Sequence, residues 1–271
     1  MILDDIVARK EQELLAKKER FSADRLEEIA ASMEPPRDFG AALRGPSPSA
    51  SIQIIAEIKR ASPSAGVLRQ DFAPKDIART YAENGAAALS VLTDEDFFGG
   101  QDAYVAAAGG ACGLPVLRKE FIIDEYQIYE SRVLAADAVL LLVRLLTQGE
   151  LQEMLSLTHE LGMEALVEAH DAEEAGRAVA VGAGVIGINN RDLTTFETNL
   201  ETTVRLRELV PAEATLVAES GIHSRSDLER LAKAHVHAAL IGTAIMQADD
   251  MGAKLRDFVG VPLQSAPSSA T

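Results

Sequence analysis

Ile52-Gln53-Ile54-Ile55-Ala56-Glu57-Ile58-Lys59-Arg60-Ala61-Ser62-Pro63-Ser64 is an apolar, β-branched run with charges written into its end. Strand side chains alternate, so Glu57 and Lys59 share one face while Ala56 and Ile58 take the other. A carboxylate and an ammonium on a largely buried strand cost several kcal/mol in desolvation unless they are paired or used. A structural ion pair would meet that condition as well as an active site would. What favours a site is recurrence: similar apolar runs end in polar groups at 114–119, 165–168, 185–191 and 216–221. Five such endings predict one shared rim.

Working outward from this stretch, β-type runs fall near 52–59, 87–92, 115–118, 138–143, 164–167, 185–189, 215–219 and 238–242. Amphipathic stretches near 74–83, 101–108, 124–134, 147–161, 171–181, 200–209, 224–233 and 250–258 alternate with them. That alternation is the signature of a parallel α/β sheet. Eight strand–helix units predict a single closed (β/α)8 TIM barrel, an architecture that commonly uses roughly 250 residues as one domain. An open doubly wound sheet would be expected to show a G-x-G-x-x-G turn after an early strand, and the chain has none. In a barrel, catalytic groups stand at the C-terminal ends of strands, which is where the polar residues fall.

Residues 1–48 are expected to form a charged N-terminal helical extension, with helices near 4–18 and 23–32 that Asp4 and Ser22 would cap. Pro35-Pro36 breaks that pattern, and Gly45-Pro46-Ser47-Pro48-Ser49 reads as a linker into the barrel, which is expected over 49–262. Residues 263–271 are expected to be a disordered Ser/Ala/Pro-rich tail.

The chain has 271 residues, 47% of them hydrophobic, with a mean hydropathy near zero. No apolar run reaches the roughly 18 residues of a membrane span, and the start, Met1-Ile2-Leu3-Asp4-Asp5, does not read as a signal peptide. A cytoplasmic protein without a membrane partner is expected. Forty-two acidic against 26 basic residues give a net charge of −16, which argues against nucleic acid as a partner. Cys112 is the single cysteine, so an intramolecular disulfide or a Cys-based zinc site is excluded. His235-Val236-His237 is the one close histidine pair and has no second cluster to make it a metal site. His170, after Glu168, reads as a solvated loop histidine.

Glu57-Ile58-Lys59-Arg60-Ala61-Ser62-Pro63-Ser64, Ser90-Val91-Leu92-Thr93-Asp94, Val116-Leu117-Arg118-Lys119-Glu120-Phe121-Ile122-Ile123-Asp124, Leu166-Val167-Glu168, Ile188-Asn189-Asn190-Arg191-Asp192-Leu193 and Ala218-Glu219-Ser220-Gly221-Ile222 together closely resemble indole-3-glycerol phosphate synthases. The likeness runs over roughly residues 1–260. Asp96, Glu120, Ala169 and Thr243 depart from the usual residues at their positions.

The resemblance implies a carbon–carbon lyase of tryptophan biosynthesis. Its reaction converts 1-(2-carboxyphenylamino)-1-deoxyribulose 5-phosphate to indole-3-glycerol phosphate, carbon dioxide and water, with no cofactor and no metal. It further implies Lys119 as general acid and Glu168 as general base of the dehydration. Lys59 is then an acid at the departing hydroxyl, although the order in which the two lysines act stays open. Glu57 would hold Lys59 charged, because a nearby opposite charge favours the ammonium. Asn189 would bind substrate hydroxyls, Arg191 would steady Glu168 or the substrate carboxylate, and Glu219 would meet the ring nitrogen or a hydroxyl.

Ser220-Gly221 and Gly242-Thr243 stand where barrels commonly bind phosphate, after strands seven and eight, and Ser62 completes that cradle in the family pattern. Phe98, Phe121 and Leu140 would cover the aromatic ring. Three rival readings are a phosphoribosylanthranilate isomerase-like barrel, which would need a cysteine–aspartate pair, a tryptophan synthase α-type barrel, which would need a different carboxylate pair and no Lys59/Lys119 couple, and a non-catalytic phosphosugar-binding subunit.

Overall fold

A computed structural model describes residues 2–45, 51–63, 65–192 and 195–263. Linker residues 46–49, tail residues 264–271, Ser64 and Leu193 lie outside the described residues. Eight parallel strands, β1 (Gln53–Ile58), β2 (Ala88–Leu92), β3 (Val116–Lys119), β4 (Ala138–Leu142), β5 (Glu164–Ala169), β6 (Val185–Asn189), β7 (Thr215–Glu219) and β8 (Ala238–Ile241), pair in chain order. The barrel closes where β1 pairs β8, with Gln53 opposite Ala238 and Ala56 opposite Ile241.

The strands are buried on both faces, which is why they read as near-continuous apolar runs. Ile54, Ala56, Ile58 and Val91 join the core cluster that includes helix residues such as Ile77, Tyr81 and Val105. Ile55, Ala88, Leu117, Leu140, Leu166, Val185, Val217 and Leu240 form a second cluster that fills the barrel interior. Counting on by twos from these inward residues leads to Glu57, Lys119, Glu168, Gly187, Asn189, Glu219 and Gly242. Strand register alone thus aims the polar residues into one mouth.

Three helices precede the barrel: α1 (Ile2–Arg20), α2 (Ala23–Ser32) and α3 (Phe39–Arg44). The Ser22 side chain caps α2 by accepting the Arg25 N–H at 3.3 Å. Asp4 is not a cap; it lies within the first turn of α1, where an acidic side chain complements the helix dipole. The third helix has no counterpart in the sequence-based assignment, because six residues beyond a Pro-Pro break are too few to show a period. Its Asp38 accepts the Ala41 N–H at 2.6 Å, and Phe39 and Leu43 are buried with the interior strand residues.

The extension wraps the barrel from top to bottom. Leu3 and Ile6 of α1 reach the mouth. On the flank, α2 packs on the helix Glu125–Val133, with Leu26 against Leu14 and Tyr126. Arg37 then bonds Asp137 through its N–H at 2.7 Å and its guanidinium at 2.7 Å, ahead of the plug made by α3. Two short helices, Glu95–Phe98 and Thr243–Met246, and a hairpin of Ala61–Ser62 with Gly66–Val67 were likewise absent from the sequence reading.

Candidate active site

A cavity of about 230 Å³ opens at the C-terminal ends of the strands. Every site residue singled out from sequence lines it: Glu57, Lys59, Ser62, Phe98, Lys119, Phe121, Leu140, Glu168, Asn189, Arg191, Glu219, Ser220, Gly221, Gly242 and Thr243. At its centre Lys119 Nζ lies 2.8 Å from Glu168 Oε2 and 2.5 Å from Glu219 Oε2. Asn189 Nδ2 donates to the other Glu168 oxygen at 2.8 Å. Beside this group, Lys59 Nζ meets Glu57 Oε1 at 2.6 Å.

Burial sets the electrostatics. Glu168 and Glu219 are 3% and 2% exposed, so neither charge is relieved by water. Desolvation opposes the Lys119 ammonium, yet Glu168, Glu219 and then Glu57 together hold its pKa above the ordinary lysine value. Glu168 is desolvated too, but Lys119 and His170 outweigh that and hold it well below the usual carboxylate range. Glu219 goes the other way: burial, followed by repulsion from Glu168, pushes it up to about 7. The asymmetry has a geometric cause. Lys119, Asn189 and His170 surround Glu168, whereas among the described residues Glu219 has Lys119 alone and a buried Oε1 without a hydrogen-bond partner.

Several expectations change in detail. Arg191 does not reach Glu168; its Nη1 donates to the Phe196 carbonyl at 3.0 Å, and its N–H donates to Asn189 Oδ1 at 3.0 Å. Asn189 takes the steadying position instead, being inward by register where Arg191 has already left the strand. His170 is no solvated loop residue: its side chain is 6% exposed and lies between Glu168 and Glu174. Cys112 is the last residue of the helix Ala103–Cys112. His237 accepts the Leu216 N–H at 2.9 Å, and the backbone of His235 ends a turn, at the barrel end away from the mouth.

The ends of β7 and β8 make a glycine-lined recess. Ser220 and Gly221 both have positive φ, 63° and 75°, a tight left-handed turn that only glycine adopts without strain. The Asn190 amide pins this turn by donating to the Glu219 carbonyl at 2.9 Å and the Ser220 carbonyl at 3.3 Å. Gly242 has a further duty, since a Cβ there would collide with the Glu57 carboxylate. Phe98 and Phe121 sit side by side with ring centroids 6.1 Å apart.

Four supporting residues escaped the sequence reading. Gly187 makes room for Glu219, whose carboxylate a Cβ would strike; its signal was a glycine inside a strand, which often marks a close approach. Asn190 sits beside Asn189 with nothing in the sequence to set it apart. Arg118 points out of the barrel and is fully buried, bonded to Asp102 at 2.7 Å and Glu130 at 2.7 Å. Lys10 of α1 is buried, with Glu13 at 2.7 Å and both Asp94 and Glu120 at 3.2 Å. Neither cation carries a local motif that marks it for burial.

A closed eight-stranded barrel with lysine and glutamate in a buried cluster at its C-terminal mouth places the chain among TIM-barrel enzymes, whose sites stand at that end of the strands. The family profile described as indole-3-glycerol phosphate synthase matches residues 3–258. An indole-3-glycerol phosphate synthase of Paracidovorax citrulli is 49% identical over 258 residues, covering 94% of this chain and 97% of the relative. One from Albidiferax ferrireducens is 49% identical over 257 residues, covering 95% and 97%. Among solved structures, 3-hexulose-6-phosphate synthase from Salmonella typhimurium aligns with a TM-score of 0.61 at 13% identity, covering 76% of this chain and 96% of the other, a likeness of fold alone. The chain belongs to the indole-3-glycerol phosphate synthase family, carbon–carbon lyases of tryptophan biosynthesis.

Proposed function

We propose that this site closes the indole ring of 1-(2-carboxyphenylamino)-1-deoxyribulose 5-phosphate by general acid–base catalysis, with the following division of labour. The ring carbon bearing the carboxylate attacks the ribulose carbonyl carbon, and Lys119 gives the carbonyl oxygen its proton. Carbon dioxide then leaves, and the electrons of the broken carbon–carbon bond restore the aromatic ring. The new hydroxyl departs as water with a proton from Lys59, and Glu168 takes a proton from the methylene carbon beside nitrogen to complete the indole. The observation that carries this reading is Lys119 held 2.8 Å from Glu168 and 2.5 Å from Glu219, an acid and a base in one cavity.

Glu57 orients Lys59, and Asn189 and Glu219 bind the sugar hydroxyls and ring nitrogen as the acid–base pair exchanges protons. The phosphate sits in the recess of Ser62, Ser220, Gly221, Gly242 and Thr243, and the anthranilate ring rests on Phe98, Phe121 and Leu140. A phosphorylated substrate does not leak through membranes, which supports a cytoplasmic setting. The net charge of −16 supports a protein without a nucleic-acid partner. Two rivals lose support in the same place: where the isomerase-like reading needs a cysteine after β1, Lys59 stands, and a phosphosugar-binding subunit would gain nothing from burying Lys119.

Incubating the protein with the carboxyphenylamino-deoxyribulose phosphate and following indole fluorescence tests the proposal. Fluorescence should rise with turnover and carbon dioxide release, and inorganic phosphate should compete. Binding of the substrate without fluorescence would favour the non-catalytic reading.

A further inference from the structure

His170 stands one residue past the end of β5, in the bend that follows it, and its side chain folds back onto the Glu168 carboxylate. Its Nε2 lies 3.3 Å from Glu168 Oε1, a buried contact too oblique for a good hydrogen bond but close enough for an ion pair. On the opposite side, Nδ1 is 3.1 Å from Glu174 Oε2, and the same oxygen accepts the His170 N–H at 2.8 Å. Glu174 belongs to the helix Ala172–Ala180 and is itself gripped by Arg144, whose Nε and Nη2 lie 3.0 and 2.9 Å from Oε1. Arg144 comes from the turn Val143–Leu145 after β4.

The charged groups around the imidazole come from each neighbouring element. Glu168 lies on the preceding strand, β5, with Lys119 from β3 beyond it, Glu174 on the following helix, and Arg144 on the turn after β4. Asp4 and Glu11 of α1 line an adjoining groove with Arg144 and Glu174. The two carboxylates in direct contact outweigh Arg144 and the loss of water, and the imidazole pKa rises to about 9.

The two oxygens of Glu168 consequently differ. Oε1 faces Asn189 and His170, while among the described residues Oε2 faces Lys119 alone. The geometry points to His170 as a positioning residue: braced by Glu174 and Arg144, its imidazolium anchors Glu168 through Oε1 and leaves Oε2 as the oxygen that exchanges a proton. This rests on Glu168 being the base. It adds an outer link, Arg144 to Glu174 to His170, to the proton-transfer site.

His170→Gln keeps a donor but removes the cation, so Glu168 should lose part of the field that keeps it ionised. The acid limb of kcat/KM should move up by about one pH unit, since a neighbouring opposite charge shifts a carboxylate by at least that much. KM at the pH optimum should stay within twofold. Glu174→Gln, which lies outside the cavity, provides the second arm. With histidine ring nitrogens labelled and the His170 signals assigned by their loss in His170→Gln, nuclear magnetic resonance should show His170 doubly protonated through pH 8 in the parent. Its titration should fall by about one unit in Glu174→Gln.

A merely structural histidine would lower the thermal midpoint and leave the acid limb where it was, which would overturn the proposal. If His170→Gln fails to fold, the His170 signals are assigned by through-bond correlation in the labelled parent, and a His170 titration unmoved by Glu174→Gln overturns it instead. Glu168→Gln separates the two layers. Full turnover in that variant overturns the base assignment, whereas an inactive Glu168→Gln beside an unmoved limb in His170→Gln overturns the role of His170 alone.

Discussion

Lys119 and its two carboxylates respond to substitution in different ways. Lys119→Ala should lower kcat by roughly 10²-fold or more, as expected for loss of a general acid, and a variant changed only in KM would reassign it to binding. For Glu219, a folded-state pKa near 7 against an ordinary value of 4.5 means that the folded protein keeps a proton the unfolded chain has lost. The stability linked to that proton is complete below about pH 4.5 and is lost as pH rises to 7, on the order of 3 kcal/mol. Urea denaturation of Glu219→Gln across this window should therefore show a flatter profile than the parent, and an unchanged slope would contradict the assignment. Glu168, held low, contributes in the opposite sense, its stability present above pH 4.5 and lost on acidification. The positions of Glu57, Lys59, Lys119, Glu168, Asn189 and Glu219 were legible in the sequence, because each ends an apolar run in register with the others. Their protonation states were not: those depend on who neighbours whom across strands far apart in the chain.

At the scale of single elements, β6 and the turn after β8 each carry a glycine where the adjacent strand carries a buried carboxylate. Gly187→Ala and Gly242→Ala would drive a methyl group into Glu219 and Glu57 respectively, in space that is already filled. Overpacking of this kind costs about 1–3 kcal/mol, and here the side chain forced to move is part of the site. Both variants should lose activity more than they lose thermal stability, as circular dichroism melts beside fluorescence assays would reveal. Gly221→Ala tests a different cost, backbone strain at φ 75°, worth roughly 1–2 kcal/mol, with its effect expected mainly on KM. Strands and long helices could be read from hydrophobic period. The short helices Phe39–Arg44, Glu95–Phe98 and Thr243–Met246 could not, because four to six residues span less than two turns and their existence depends on the barrel they pack against.

Taken as a whole molecule, the barrel is bound by its own N-terminal extension, which touches the mouth with α1, the flank with α2 and the floor with α3. Lys10 is the buried tie at the mouth, and Lys10→Met would strip Asp94 of its buried cation and leave Glu120 only the more distant Arg118 at 4.0 Å. Breaking a buried pair in this way costs about 3 kcal/mol or more. KM should rise as Leu3 and Ile6 leave the cavity wall, and protease should cut α1 sooner; a variant with unchanged KM and cleavage rate would show that α1 is held by packing alone. The Lys119 cluster has one more implication, for the chain divided in two. The first four strands bring both lysines, the last four bring Glu168 and Glu219, and Gly242, the recess for Glu57, also comes from the second half. Severed between β4 and β5, each fragment would hold ionised groups that its own fold cannot shelter, and would find in its counterpart both the missing wall and the missing counterion. Reassembly from halves would thus be self-selecting, and the chemistry would exist only along the line where they join.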